Sequence, residues 1–386
     1  MRYAINNKKR TQRSLALRQS RNPHRAMSAG RVLTELATLS PAGALRFGQV
    51  QTLIGNLPPM QWLTRRRGAA LLRSARQWLL DCGDGVRLQG FLSPSQERGT
   101  PARTLERSDE PVRQRIAVVL HGWEGSVDSC YVISLGAELL ACGFDVLRLN
   151  LRDHGESHHL NREIFHSCRL AEVVGATRAV AERFPAAQIF LAGFSLGGNF
   201  MLRVATDDGA PEAIAAVAAV SPVLDPAATL EALERGWFFY RRHFVQRWSR
   251  SLRHKRRKWP DLPDFELILR SQDLRAMTAG LVREFTEFAS LDAYLDGYAI
   301  TGPRLATLRF PAAVLLAEDD PMIPAADLVR LAPSPHLCVV RTRHGGHCGF
   351  LERLNGPSFA DRFVVAHFDR FGVLQARNGR TQGREF

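Results

Sequence analysis

Gly193-Phe194-Ser195-Leu196-Gly197 places a serine between small residues. The apolar run Gln188-Ile189-Phe190-Leu191-Ala192 precedes it, and Gly198-Asn199-Phe200-Met201-Leu202 follows. That context predicts a sharp strand-to-helix turn. Small neighbours are needed there because the turn crowds its own backbone. Ser195 would sit exposed at a helix N-terminus, where the dipole favours developing negative charge. The chemistry is nucleophilic attack, and a serine needs a base and a group that orients the base.

Candidates for both come late in the chain. An apolar run leads to Glu318-Asp319-Asp320-Pro321-Met322-Ile323-Pro324. The carboxylate just before the Pro-x-x-Pro turn is best placed to point inward, so Asp320 is the expected acid and Asp319 the alternative. Next comes Arg343-His344-Gly345-Gly346-His347-Cys348-Gly349-Phe350. Glycines around His347 allow a close loop over the serine. His347 is the expected base, and His344 the fallback. Acyl transfer also needs backbone donors for an oxyanion. The Leu196 N–H is one. The glycine-rich loop His121-Gly122-Trp123-Glu124-Gly125 supplies the second, expected from Trp123.

These residues must be held by a regular frame. Short apolar runs at 116–120, 144–149, 188–192, 213–220, 314–317 and 337–340 read as buried strands. Helical patterns at 131–142, 168–184 and 196–206 fall between them. Alternating strands and helices predict a parallel sheet covered on both faces, with its site-bearing loops on one edge. Gly83-Asp84-Gly85 marks a hairpin ahead of this core. Residues 226–306 break the rhythm and read as a helical insertion over that edge.

In motif order and context the sequence resembles the α/β-hydrolase superfamily. It looks most like the YheT-like branch, which includes ABHD-type lipid esterases. The pieces that carry the resemblance are His121-Gly122-Trp123-Glu124-Gly125-Ser126, Gly193 to Asn199, Asp319-Asp320-Pro321 and Gly345 to Phe350. Arg283-Glu284-Phe285, continuing to Tyr294 and Tyr298, fits the lid of that branch. The resemblance implies the α/β-hydrolase fold, a mostly parallel central sheet flanked by helices with a helical lid insertion. It also implies a serine hydrolase of carboxylic esters, lipid or medium-chain esters included. No metal or organic cofactor is expected. An acyltransferase, a thioesterase or a non-catalytic binding protein on the same scaffold stay open as alternatives.

One region departs from the branch. Arg152 to His159 stands where many members have a glycine/cysteine-rich turn. His154, His158, His159, His166 and Cys168 cluster there. Their spacing lacks a ligand pattern, so structural or pocket-lining roles are expected in place of a metal site.

Charge is unevenly placed along the 386 residues. Residues 1–80 hold 15 Lys/Arg and one acid, Glu35, while the rest carries 37 of each sign. The net charge of +14 therefore belongs to an N-terminal arm. Such an arm reads as a solvated leader or as a contact for anionic surfaces, and no recognised motif supports specific nucleic-acid binding. Met27 is an alternative start. A second basic block spans Arg241 to Lys258, nine Lys/Arg in 18 residues with no acid. Trp237, Tyr240, Phe244, Trp248 and Leu252 recur along it at helical spacing. This helix either lies on an anionic membrane or packs its aromatics on the core. Six scattered cysteines without C-x-x-C, no apolar leader and no span of about 18 apolar residues point to a cytoplasmic protein, with peripheral membrane contact as an option.

The expected organisation is a basic leader at 1–30, a helical and basic extension at 31–80, a core at 81–225 and 307–372, the lid at 226–306, and a flexible tail at 373–386.

Overall fold

The computed structural model describes residues 33–55, 57–95 and 113–378. The leader at 1–30, residues 96–112 and the end of the tail lie outside the described residues.

The chain from residue 33 forms a nine-stranded sheet. Strand β1 is Leu33–Leu36, β2 Arg76–Asp81, β3 Arg87–Ser93, β4 Arg115–Leu120, β5 Asp145–Leu149, β6 Gln188–Phe194, β7 Ile214–Val220, β8 Ala312–Ala317 and β9 Leu337–Thr342. Their spatial order is β1-β9-β8-β7-β6-β4-β5-β3-β2. Every pairing from β1 to β5 is parallel; β3 alone runs against its neighbours β5 and β2.

Strands β5, β6, β7 and β8 are buried at every residue. Parallel strands covered on both faces read as continuous apolar runs, which is why the sequence exposed them so plainly. The covering helices include α4 (Cys130–Ala141), α5 (Leu170–Arg183), α6 (Leu196–Val204) and α12 (Phe359–Asn378). Two apolar clusters result, one on each face. Chain order reverses across β4: β5 lies on one side and β6 on the other. The loops after β4 and β6 therefore meet at the edge where ligand crevices form.

Three expectations needed revision. Residues 31–80 are no appended extension. Strand β1 pairs with β9, and helix α1 (Gly48–Ile54) packs against the loops after β8 and β9. The expected helical character of 31–80 ends at Ser74, where helices α2 (Pro58–Arg67) and α3 (Ala69–Ser74) give way to β2, which contains Trp78, Leu79 and Leu80. Helix α12 runs on to Asn378, past the expected start of the tail.

The insertion is helical as expected. It comprises α7 (Pro226–Arg235), α8 (Phe238–Lys258), α9 (Glu266–Leu269), α10 (Leu274–Phe285) and α11 (Leu291–Tyr298). Asp225 caps α7 through Ala227 and Ala228 N–H, Asp273 caps α10 through Ala276 N–H, and Ser290 caps α11 through Ala293 N–H. Of the five apolar residues expected on one face of α8, Tyr240 and Leu252 are buried, and Phe244 and Trp248 pack on Trp123. Only Trp237 stays in water. No helix among the described residues is long and apolar enough to cross a membrane.

Candidate active site

Ser195 occupies the turn between β6 and α6 with φ 53° and ψ −122°. Its N–H donates to Val220 O (2.9 Å), which pins the turn to β7. The glycines on either side have no room for a side chain. A Cβ on Gly193 would stand 2.3 Å from Gly197 O, and one on Gly197 would stand 2.4 Å from His121 O. Left-handed backbone at a serine is strained, and dense packing around it holds the strain in place.

The loop after β4 lies directly over this turn. A Cβ on Gly122 would stand 3.0 Å from Ser195 Cβ. Gly122 N–H donates to the Tyr131 hydroxyl (3.2 Å), and Gly125 N–H to Gly122 O (2.9 Å). Trp123 follows Gly122 on this loop, and Leu196 is the first residue of α6, where helix geometry leaves N–H groups without intrahelical partners. Both line the same cavity as Ser195.

Two histidines of unassigned role turn out to build this loop. The His121 Nδ1 lies 2.7 Å from Gly122 O, while its Nε2 accepts from Leu151 N–H (3.2 Å). The His154 Nδ1 lies 2.7 Å from Arg152 O, while its Nε2 accepts from Glu124 N–H (3.1 Å). Each ring therefore carries its proton on Nδ1. Burial lowers the His121 pKa to about 4 and that of His154 to about 3, so both stay neutral. His158 bonds Ser251 of α8 (2.9 Å), His166 lines the cavity beside Phe288 and Tyr294, and Cys168 Sγ donates to Tyr294 O. Among the described residues no three His, Cys, Asp or Glu side chains converge as a metal site would require.

The acid and base candidates meet after β8 and β9. His347 Nδ1 lies 2.9 Å from Asp320 Oδ2 and 3.2 Å from Oδ1. Asp320 Oδ1 also accepts from Met322 N–H (2.9 Å) and Ile323 N–H (3.0 Å), so the Pro-x-x-Pro turn fixes the carboxylate. Asp319 is engaged elsewhere. Its Oδ1 accepts from Gly346 N–H (2.8 Å) and holds the histidine loop. His344 lies against Asp319 at 3.7 Å. Burial of His347 disfavours the imidazolium, but the Asp320 carboxylate and the adjacent Cys348 thiol outweigh it. The His347 pKa stands well above its ordinary value.

Sequence reasoning missed the support from α1. His347 N–H donates to Thr52 Oγ1 (2.9 Å). Gln51 donates to Leu45 O (2.7 Å) and Leu351 O (2.8 Å) and accepts from Leu351 N–H (2.8 Å). A Cβ on Gly346, at φ 54°, would stand 2.2 Å from Gly48 O. Nothing in the local sequence around Gln51 tied it to the histidine loop some three hundred positions away. Glu124 and Arg247 were missed too. Both line the cavity; burial pushes the Glu124 pKa up to about 8, against the pull of the Arg247 guanidinium.

The cavity has a volume of about 580 Å³. Ser195 and His347 open into it, and its wall is mostly apolar: Trp123, Phe165, Leu230, Phe244, Trp248 and Ile323 among others. Trp123 stacks on Phe244 (centroids 5.1 Å, planes 6° apart) and meets Trp248 edge-on at 5.1 Å. The lid thus closes the cavity over the loop after β4. Helix α8 is fastened below by Lys255, whose Nζ bonds Asp153 Oδ1 (2.7 Å) and the carbonyls of Asn161 (2.5 Å) and Glu163 (3.0 Å).

A serine on a strained strand–helix turn, with a carboxylate-bound histidine in its cavity at the carboxyl edge of a parallel sheet, defines a class of enzyme. Comparison agrees: residues 118–354 match the model for the alpha/beta hydrolase fold, and the chain belongs to that family. Its relatives within that family include YheT and ABHD-type proteins, named as esterases and phospholipases, which is consistent with a hydrolase. It is 24% identical over 312 residues to phospholipase ABHD3 of Mus musculus, spanning 76% of this chain and 73% of that protein. It is 24% identical to the putative esterase YheT of Escherichia coli (strain K12), spanning 61% and 70%. It is 30% identical to the pimeloyl-[acyl-carrier protein] methyl ester esterase of Xanthomonas campestris pv. campestris (strain B100), spanning 64% and 94%.

Proposed function

We propose that this protein hydrolyses carboxylic esters with lipid or medium-length acyl chains through an acyl-enzyme. The observation that carries the reading is the 2.9 Å contact of Asp320 Oδ2 with the Nδ1 of His347, which lines the same cavity as Ser195. Ser195 Oγ attacks the ester carbonyl as His347 Nε2 takes its proton. The N–H groups of Leu196 and Trp123 hold the oxyanion. The tetrahedral adduct collapses, and the leaving alkoxide takes the proton from His347. Water then attacks the acyl-enzyme, again through His347, and releases the acid and free Ser195. Asp320 stays ionised throughout, fixing the ring tautomer and stabilising the imidazolium. The apolar cavity wall supports an acyl chain as its occupant, and the similarity to a phospholipase and to named esterases supports an ester bond as the target.

Labelling with a fluorophosphonate probe tests this. Wild type is expected to label and Ser195→Ala not to, with kcat on an acyl-ester series lowered at least about 10³-fold in the variant. Equal labelling of both, or near-normal turnover by Ser195→Ala, would refute it.

A further inference from the structure

Exposed apolar residues from two parts of the chain line the cavity. Leu53, in the last turn of α1, and Leu57, in the α1–α2 connection, line the cavity and are also open to water. So is Phe239, at the start of α8. Tyr240 faces Thr52, so the two parts belong to one rim. Beyond the cavity wall the apolar surface continues. Trp237, Phe238 and Phe239 are 54%, 52% and 58% exposed and touch one another, with Phe238 and Phe239 centroids 4.3 Å apart. In the elements that supply Leu53 and Leu57, Trp62 of α2 is 59% exposed and Phe47, which caps α1, 65%. Consecutive exposed aromatics around the entrance of an apolar cavity mark an interaction surface, not scattered surface residues.

The charges beside the rim decide its partner. Arg46 adjoins Phe47, Arg65 and Arg66 share α2 with Trp62, and Arg241 and Arg242 follow Tyr240. Arg66 lies over the Trp62 ring at 5.4 Å. The acids paired to this set are Asp128, on Arg65, and Glu234, on Arg241, both at 3.7 Å. Aromatics that seat in an acyl–headgroup boundary, with arginines around them, match the surface of an anionic bilayer.

We propose that this rim docks on an anionic lipid bilayer, presenting the cavity mouth to the membrane. The inference rests on the lipid-ester reading for its purpose but on the rim alone for its geometry. It also moves the membrane contact away from the aromatic stripe of α8, one of the two readings left open for that helix. The helix turns Phe244 and Trp248 inward, and its exposed aromatics are confined to its N-terminal end.

The test is sedimentation of the full chain with vesicles of phosphatidylcholine alone and with about one-third phosphatidylglycerol, at about 0.15 M and about 0.5 M salt. Wild type and Ser195→Ala are both measured, so binding is read without turnover. Both are expected to bind the anionic vesicles. The part of that binding that survives high salt is expected to fall about tenfold or more in Trp237→Ser/Phe238→Ser and in Trp62→Ser. None of these three residues lines the cavity, so unfolding midpoints and rates on a short water-soluble ester are expected to match wild type. Charge reversal far along α8, Arg250→Glu/Arg257→Glu, is expected to change only the salt-sensitive part. Undiminished high-salt binding by both rim variants would overturn the proposal. So would absence of vesicle binding, including the case where the rim instead drives concentration-dependent dimerisation that the rim variants abolish. Failure of esterase activity with rim-dependent binding intact would count against the ester reading alone.

Discussion

At the scale of single residues, the two neighbouring acids separate by what each accepts. Asp320 takes His347 Nδ1 and two N–H groups of its own turn, whereas Asp319 takes Gly346 N–H. Asp320→Asn should lower kcat by about 10⁴-fold, because the amide no longer holds the ring in the working tautomer. Asp319→Asn should cost far less, since Gly346 N–H keeps an oxygen acceptor. Steady-state kinetics on one ester distinguishes the two. The same pair sets the pH dependence. The His347 pKa is raised in the folded protein, and its ring must be neutral to act as base. kcat/KM should therefore rise with pH through that elevated pKa. The stabilising contribution of the pair runs the other way. It is fully present below the unfolded histidine value of about 6.5 and lost as pH rises through the folded one. A kcat/KM profile already flat from pH 6 upward would contradict the assignment.

Among the elements, α8 carries the most consequence. It supplies Phe244, Arg247 and Trp248 to the cavity, yet its anchorage lies at the opposite end, in Lys255. Lys255 and Asp153 are both buried. Burial pushes the Asp153 pKa up to about 6 against the pull of Lys255, and it lowers that of Lys255. Lys255→Met strands a carboxylate and should destabilise the fold by about 3–5 kcal/mol near neutral pH. The loss should shrink toward pH 5 as Asp153 takes up a proton, and Asp153→Asn added to the variant should recover part of it. Denaturant unfolding of the three proteins at two pH values measures this. Basic residues and aromatics at helical spacing made α8 legible as an amphipathic helix. The spacing could not say that the aromatic stripe lies under the lid, because a membrane and a protein core present the same apolar face.

For the whole molecule, the active edge depends on chain far outside the matched family region at 118–354. Strand β1 extends the sheet beyond β9, and α1 braces the histidine loop through Thr52, Gln51 and Gly48. Gln51→Ala leaves two carbonyls and one N–H without their partner. It should destabilise the protein by about 1–3 kcal/mol and lower kcat through a looser His347 loop, with KM for a short ester little changed. Unchanged unfolding and unchanged kcat would show that α1 is only a cover.

The sequence by itself determined the core strands, because strands buried on both faces must be apolar throughout. It also determined the serine turn, because only small residues fit around Ser195. An acidic Pro-x-x-Pro turn and a glycine-flanked histidine downstream of Ser195 stood out as candidate acid and base. Tertiary structure alone decided the rest. Asp320 and not Asp319 meets His347, a choice between adjacent carboxylates made by the direction of one turn. His121 and His154 brace the loop of Trp123, which depends on β4 and β5 lying side by side. Gln51 and Thr52 reach residues about three hundred positions away. Such contacts leave no period and no motif in a sequence, because a hydrogen bond across the fold constrains two side chains and not the residues around them.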